Sequence, residues 1–124
     1  MYLRFTIPSD GERTPTGSAA GIFGAAGRLR DAYRFDTWEH QWLCEDLDWF
    51  NEHLPVPTDI RRGHAVCWFK PEAREMISRV RRMAALIERA GIAVRVYRKR
   101  RAGTIVYEDD FQVSAVPWRT TFAR

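Results

Sequence analysis

The sequence is poor in cysteine and lacks a long apolar run, and both shortages narrow the class of protein. Cys44 and Cys67 are its two cysteines, too few for the disulfide framework of a small secreted domain. No stretch approaches the roughly 20 apolar residues that a membrane-spanning helix needs, and the first ten residues lack the apolar segment of a signal peptide. We therefore predict a soluble cytoplasmic protein with buried, reduced thiols and no membrane partner.

Positive charge is absent from one part of the chain and concentrated in the next. Residues 36–59 contain seven Asp and Glu but no Lys or Arg, whereas residues 60–101 contain thirteen Lys and Arg and three Glu. This asymmetry is typical of polyanion binding, of self-association through complementary charge, or of solvated faces that lie near each other. The charge pattern alone leaves all three open.

Length and composition favour one folded domain. The 124 residues suffice for one hydrophobic core but not for two separate ones. Hydrophobic residues make up 45% of the chain, which excludes wholesale disorder. We predict a single α+β domain over residues 1–124, with a mobile loop at 8–18 and a C-terminal tail at 117–124.

Apolar periodicity predicts the order βααβαβββ, in two layers with helices packed on a mostly antiparallel sheet. Helices are expected from about Ser18, from Asp36 and over residues 71–90. Asp36 with Glu39 three residues on is typical of an N-cap and its capping-box partner. The predicted strands are YLRFTI (2–7), HAVCWF (64–69), IAVRVYR (92–98), TIVYE (104–108) and FQVSAVPW (111–118).

Two connections between the last strands are predicted to be hairpin turns. KRRAG at 99–103 is expected to form a basic hairpin tip, and the acidic pair at 109–110 a tight turn. HAVCWF has apolar residues at both its odd and its even positions, which point to opposite faces of a strand. We therefore expect a central strand that is covered on both faces. Pro71 suits the first turn of the helix that follows. AVCWFKPEARE (65–75) is therefore predicted to be structural, with Trp68 in the core.

Three segments resemble those of a group of small uncharacterised bacterial proteins of similar length and layout. They are WFNEHLPVP (49–57), CWFK (67–70) and GTIVYEDDFQVSAVPW (103–118). The resemblance covers most of the chain but implies no activity, cofactor or catalytic residue. Members of that group have Pro-Gly where this chain has Ala102-Gly103, and a less basic loop before it.

Metal and phosphate sites are weakly indicated. His40 and Cys44 share a helix face, but His64 and Cys67 differ by an odd number on a strand and are expected to point to opposite sides. The glycine-rich stretch at 17–27 lacks the specific residues of a dinucleotide or P-loop fingerprint, so we interpret it as a helix that packs closely on a neighbour. We predict no metal and no cofactor.

An enzymatic alternative rests on a resemblance to ADP-ribosyltransferase-like folds. Arg4 on the first strand and Glu108 before the last strand match that layout. The family's middle element has Ser or Thr where this chain has Cys67-Trp68-Phe69. We therefore expect a degenerate member at most and predict no catalytic residue.

The leading prediction is a non-enzymatic binding or protein-interaction module. Trp38 and Trp42 lie at the edge of the predicted apolar stripe of the second helix or outside it; that stripe is Leu43, Leu47, Phe50 and Leu54. Either the other helices cover both tryptophans, or they are exposed, and exposed aromatics are enriched at protein interfaces. The alternative is binding of nucleic acid or another polyanion by an arginine-rich hairpin at 95–101 and helix 71–90. The candidate interaction residues are Trp38, Trp42, Arg74, Arg81, Arg98, Lys99, Arg100 and Arg101; the expected partners are another protein, a second copy or a nucleic acid.

Overall fold

The computed structural model describes residues 1–8, 21–57 and 65–118. Along these residues the elements are β1 (Tyr2–Thr6), α1 (Ile22–Asp31), α2 (Thr37–His53), β2 (Val66–Phe69), α3 (Arg74–Arg89), β3 (Arg95–Lys99), β4 (Thr104–Glu108) and β5 (Gln112–Val116). The predicted α+β class and element order are confirmed. Most of the predicted loop at 8–18 and of the tail at 117–124 lies outside the described residues.

The strands form one sheet in the order β3-β1-β2-β5-β4, in which every pair of neighbours is antiparallel. The segment predicted to be a central strand is indeed the middle one. Its side chains alternate between two apolar environments, since Phe69 joins the core under the helices while Trp68 joins a second cluster on the other face. Burial on both faces explains why this strand is apolar at both parities.

The main core lies between the sheet and the three helices. Leu3 and Phe5 of β1 meet apolar side chains of all three helices there. The stripe of α2 is the predicted one, with Leu43, Leu47 and Phe50 buried. Each such side chain contributes about 1.5 to 3 kcal/mol by its removal from water. No helix in the described part of the chain is both long and apolar enough to cross a bilayer.

The predicted basic hairpin between β3 and β4 is wrong. These strands lie at opposite edges of the sheet, and residues 100–103, the β3–β4 link, join them. Lys99 is paired with Tyr2 at the start of β1, whereas Thr104 is paired with Val116 at the end of β5. The link therefore connects diagonal corners of the sheet.

A flat sheet would not allow so short a link. Four strand spacings of about 4.8 Å already exceed the roughly 18 Å that five extended residues can span. Twist and coiling of the sheet must bring the two corners together. Ala102 is buried against Trp68, Val113 and Ala115, so the link passes over the face opposite the helices and helps to close it.

Candidate functional site

Asp46 on α2 is the centre of the interface between α2 and α3. Its side chain is fully buried and accepts hydrogen bonds from Arg82 Nε at 2.9 Å and Arg79 Nη1 at 3.1 Å. A second bond from Arg82 makes that pair bidentate, the strong geometry for guanidinium and carboxylate. The hydrogen bond to Asp46 raises the pKa of Arg82 above its usual value. These two arginines are thus part of the folded framework.

Glu39, in the first turn of α2, is a second acid that pairs with an arginine of α3. Its side chain is buried and forms an ion pair with Arg89 of α3. Asp36 is the N-cap residue as predicted, but the predicted capping box is not formed, because no side chain caps the start of α2. The ion pair with Arg89 directs the Glu39 carboxylate toward the neighbouring helix instead.

Two acids of α2, Glu39 and Asp46, are therefore neutralised by arginines of α3 within one chain. Self-association through complementary charge requires these two helices to present their charge on different faces. Asp46 and Glu39 face α3 and are inaccessible to a second copy. These two acids cannot contribute to a charge-complementary dimer, whereas Asp48 and Glu52 of α2 are exposed.

The tryptophans of α2 lie over the same arginines. The guanidinium carbons lie 4.3 Å (Arg79 over Trp49), 5.0 Å (Arg82 over Trp42) and 5.9 Å (Arg89 over Trp38) from the ring centroids. Trp38 and Trp42 also pack edge to face at 5.0 Å and remain 49% and 41% exposed. The predicted tryptophan edge is thus half exposed, and each of its rings already contacts a cation of the same chain.

Six other bases stay without an acidic partner. None of them forms an ion pair or a hydrogen bond with the residues that the structure describes. All six are exposed, and they are the six basic residues predicted as interaction sites. We call them the basic strip: Arg74, Arg81, Arg98, Lys99, Arg100 and Arg101.

The fold brings the basic strip to one edge of the molecule. Arg74 and Arg81 line a shallow cavity of about 410 Å³ together with Leu3. Arg98 is paired with Leu3 across β1 and β3, and β3 is an edge strand. Lys99 ends that strand, and the β3–β4 link continues the series. Arg98 shares the face of Leu3, whereas Lys99 points to the opposite face, over which the link runs. The basic strip therefore begins on the helical side of the β3 edge and continues around that edge onto the opposite face.

Helical periodicity separates these bases of α3 from the paired ones. Arg74, Arg81 and Glu88 are seven residues apart, two turns each, so they share one stripe. Arg79 and Arg82 lie on the side that faces α2. Glu88 places one acid at the C-terminal end of the stripe, and the N-terminal part carries only bases.

An exposed tryptophan lies where the basic strip ends. Trp118 is 56% exposed, and its Nε1 donates to Thr104 Oγ1 at 3.1 Å. Thr104 follows Arg101 by three residues, so the indole lies near the last base of the strip. Gly103 allows this arrangement: its φ is +128°, and an added Cβ would lie 2.9 Å from the carbonyl carbon of Val116.

Cys67 is half-buried and does not have the environment of a nucleophile. Its Sγ lies 3.2 Å from Ser114 Oγ. Burial raises the pKa of the Cys67 thiol, and the Ser114 bond and the charge of Arg4 only partly oppose this. A thiol with a raised pKa carries little thiolate at neutral pH. Neither this cysteine nor the half-buried Cys44 is as fully buried as predicted.

The residues of the enzymatic alternative are not assembled into a site. Glu108 on β4 is ion-paired with Lys70, and the hydrogen bond to Glu108 raises the pKa of Lys70. Arg4 lies on β1, and β2 and β5 separate that strand from β4. The structure therefore gives no support to the ADP-ribosyltransferase-like arrangement.

The predicted metal and glycine features have different outcomes. Cys44 Sγ lies 3.5 Å from His40 Nε2, while His64 lies outside the described residues. No cluster of three or more potential ligands occurs in the described ranges. An added Cβ at Gly27 would meet nothing nearer than 3.9 Å, so close helix packing does not explain this glycine.

Comparison of the chain with protein-family models, with curated protein sequences and with solved structures gives no match.

Sequence reasoning missed the role of Asp46 and its two arginines. Their spacing held a signal, since Glu39, Trp42 and Asp46 recur every three or four residues on one side of α2. Arg79, Arg82 and Arg89 are three and seven residues apart on α3, which also places them on one side of the helix. Two polar stripes of opposite charge on consecutive helices indicate a salt-bridged interface.

Proposed function

We propose that this protein is a non-enzymatic binding module that holds a nucleic-acid strand by its phosphates along the basic strip. The observation that carries the proposal is the division of the arginines, since one set is neutralised within the fold and the other has no acidic partner in the described residues. Unneutralised bases that follow one another along the β3 edge and the link repel each other. Phosphates relieve that repulsion and release counterions when they bind.

The shape of the surface favours a single strand over a duplex. Four of the six bases of the basic strip lie on a sheet edge and a link, and the two on α3, Arg74 and Arg81, are two turns apart, so no helix presents a dense row of these bases to a groove. Trp118 offers an exposed ring at its end, and bases of any type stack on such a ring. Binding without sequence preference is expected, because phosphate contacts carry no base information.

A protein partner at Trp38 and Trp42 is a second candidate. It is supported by the exposure of both rings, 49% and 41%, because tryptophan is enriched at binding hot spots. A second copy of the chain is the simplest such partner. Light scattering at micromolar concentration tests it, and a monomer at both low and high salt rules out the second copy.

The main proposal is tested by fluorescence anisotropy with labelled single-stranded DNA, single-stranded RNA and duplex DNA over a salt series. The decisive variant is Arg100→Ser with Arg101→Ser. The matched control is Arg28→Ser with Arg34→Ser, which removes the same charge from exposed positions outside the basic strip. The net charge of the two double variants is equal, so any difference reports position.

We expect binding to single strands at low salt, with a log–log salt slope that falls by roughly 1.4 in the basic-strip variant, about 0.7 per lost phosphate contact. The control should keep the slope of the wild type. Absence of binding at low salt overturns the proposal. Equal losses in both double variants also overturn it, because they would show a response to net charge alone.

A further inference from the structure

The shallow cavity at the first bases of the basic strip combines an apolar wall with cations. Its volume of about 410 Å³ is within the range of small-molecule sites, roughly 300 to 1,000 Å³. Three apolar and three polar residues line it: Leu3, Pro71, Ile77, Arg74, Ser78 and Arg81. Such a wall fits a ligand that has both an apolar face and negative charge, as a nucleotide has in its base and its phosphate.

The three polar side chains of this cavity lie on one stripe of α3. Ser78 follows Arg74 by four residues and precedes Arg81 by three, the spacings at which helix side chains are neighbours. The two arginines are about 10 Å apart along the helix axis, since each residue adds about 1.5 Å. Each side chain can span half of that distance, so one anion over Ser78 meets both guanidinium groups and the hydroxyl.

All three groups are available to a ligand. They are exposed, and none of these side chains makes an ion pair or a hydrogen bond with another residue that the structure describes. The Arg81 guanidinium carbon lies 5.8 Å from the centroid of the Phe5 ring. This contact directs the side chain toward β1 but supplies no acceptor oxygen for its N–H groups. Arg98 of β3, which is paired with Leu3 of the cavity wall, adds a third positive charge beside the cavity.

A terminal phosphate matches these donors better than an internal one. A phosphomonoester carries about −1.5 to −2 charges at neutral pH and has three acceptor oxygens. An internal phosphodiester carries a single charge and has one fewer unesterified oxygen. Because a guanidinium group binds two phosphate oxygens at once, two arginines and a hydroxyl use every oxygen of the monoester.

The cavity also lies at one end of the basic strip. From Arg98 the strip continues through Lys99 and the β3–β4 link, around the β3 edge and away from α3. Along α3 the next residue of the stripe after Arg81 is Glu88, whose charge repels a phosphate. A strand that follows the strip therefore ends at the cavity.

We propose that this cavity binds the terminal nucleotide of a single strand that ends in a phosphate. The phosphomonoester lies over Ser78 between Arg74 and Arg81, and the base lies against the apolar wall. This inference rests on the proposed function, because it names the strand end that the same basic strip holds. A 5′ or a 3′ phosphate has the required chemistry, and the experiment separates the two.

Fluorescence anisotropy with three oligothymidylates tests the terminal site: one has a 5′ phosphate, one a 3′ phosphate and one a hydroxyl at both ends. Each is labelled on an internal base, and all are measured at the same salt concentration. We expect one of the phosphorylated strands to bind about tenfold more tightly than the hydroxyl strand, the factor expected for one added hydrogen bond to a charged group.

The other outcomes separate this inference from the proposed function. Equal affinities for all three strands overturn the terminal site and leave the proposed function intact. An equal gain from either phosphate also overturns the terminal site, because it would report added charge alone. No binding by any strand at low salt overturns the proposed function itself, and this inference with it.

Two double variants with the same loss of charge locate the effect. Arg74→Ser with Arg81→Ser should remove the preference for the phosphorylated end, whereas Arg100→Ser with Arg101→Ser should weaken the binding of all three strands and keep that preference. A preference that survives in the first double variant contradicts the proposal, as does an equal loss of preference in both.

Ser78→Ala tests the position of the phosphate without a change of charge. We expect the preference for the phosphorylated end to fall severalfold, while the unfolding midpoint is unchanged or higher because alanine favours the helix. An undiminished preference in Ser78→Ala contradicts the placement of the phosphate over this hydroxyl.

Discussion

Arg81 and Arg82 are neighbours in sequence, yet the fold gives them opposite roles. Arg82 faces α2, where it binds Asp46 and lies over Trp42. Arg81 points toward β1 instead, where it lines a shallow cavity with Leu3, and it has no acidic partner in the described residues. A rotation of about 100° per residue separates a structural arginine from one available to a ligand. The residue type therefore says less than the helix face on which it lies.

The largest expected effect on stability comes from removing the carboxylate that pairs with Arg79 and Arg82. Asp46→Ala removes three hydrogen bonds between charged groups and leaves Arg79 and Arg82, which are partly exposed, without their shared carboxylate. We expect a loss of about 2 to 4 kcal/mol in the free energy of unfolding. Asp48→Ala, two residues on and exposed, is the matched control and should change stability by less than about 0.5 kcal/mol. Urea denaturation measures both, and equal effects would contradict a structural role for the buried pair.

The β3–β4 link carries unpaired bases on a fixed backbone, which a glycine substitution tests. Gly103→Ala adds a Cβ at a φ of +128° against the Val116 carbonyl, so we expect a loss of about 2 to 4 kcal/mol. Gly91→Ala is the control, because Gly91 also has a positive φ but open space around it. Its cost should be about 1 kcal/mol. A difference near zero would show that the link is not held closely at Val116.

The turn between β4 and β5 contains two neighbouring acids, one bound within the fold and one exposed. Asp109 accepts hydrogen bonds from the backbone N–H groups of Phe111 and Gln112 and from the Tyr107 hydroxyl, whereas Asp110 is exposed. Burial alone would raise the pKa of Asp109, but these bonds together with one from the Gln112 side chain lower it. The tight acidic turn predicted at this point is therefore held by one of its two carboxylates.

We expect Asp109→Asn to cost about 1 kcal/mol at neutral pH and Asp110→Asn to cost little. A folded-state pKa below the unfolded value of about 3.9 means that ionised Asp109 stabilises the fold above that pH. The contribution is lost as the pH falls through the folded-state pKa. The difference between wild type and Asp109→Asn in urea unfolding should therefore narrow below about pH 4. A constant difference would contradict the assignment.

The smallest expected effect on stability comes from replacing bases of the basic strip, which have no acidic partner in the described residues. Replacement of Arg98, Lys99, Arg100 and Arg101 by Ser removes no ion pair within the described residues. We expect the free energy of unfolding to change by no more than about 0.5 kcal/mol per residue, with relief of repulsion as a small gain. Thermal unfolding at low salt measures it. A loss comparable to that of Asp46→Ala would show that these bases stabilise the fold.

The sequence predicted the features that depend on local pattern. The apolar stripe of α2, the two-sided strand at β2 and the acidic turn at Asp109 follow from periodicity and turn chemistry, and the structure confirms all three. The hairpin between β3 and β4 did not follow. Two consecutive strands joined by four residues usually form a hairpin, so local sequence favours one here. The pairing of β3 with β1 and of β4 with β5 excludes it, and this pairing depends on residues far apart in the chain.

The candidate site shows the same limit. All six bases of the strip were predicted as interaction residues from charge alone. The same reasoning assigned the whole of helix 71–90 to polyanion binding, and that helix includes Arg79 and Arg82, which the structure pairs with Asp46. Which arginine meets an acid depends on how α2 packs on α3, a tertiary fact that neither helix encodes by itself.

The division of the arginines is tested most directly by NMR of the guanidinium Nε–Hε groups during a titration with an oligothymidylate at low salt. The account predicts that the signals of Arg74, Arg81, Arg98, Arg100 and Arg101 shift, while those of Arg79 and Arg82 stay in place because Asp46 already holds them. Shifts confined to the paired arginines, or no shift at all, would contradict it.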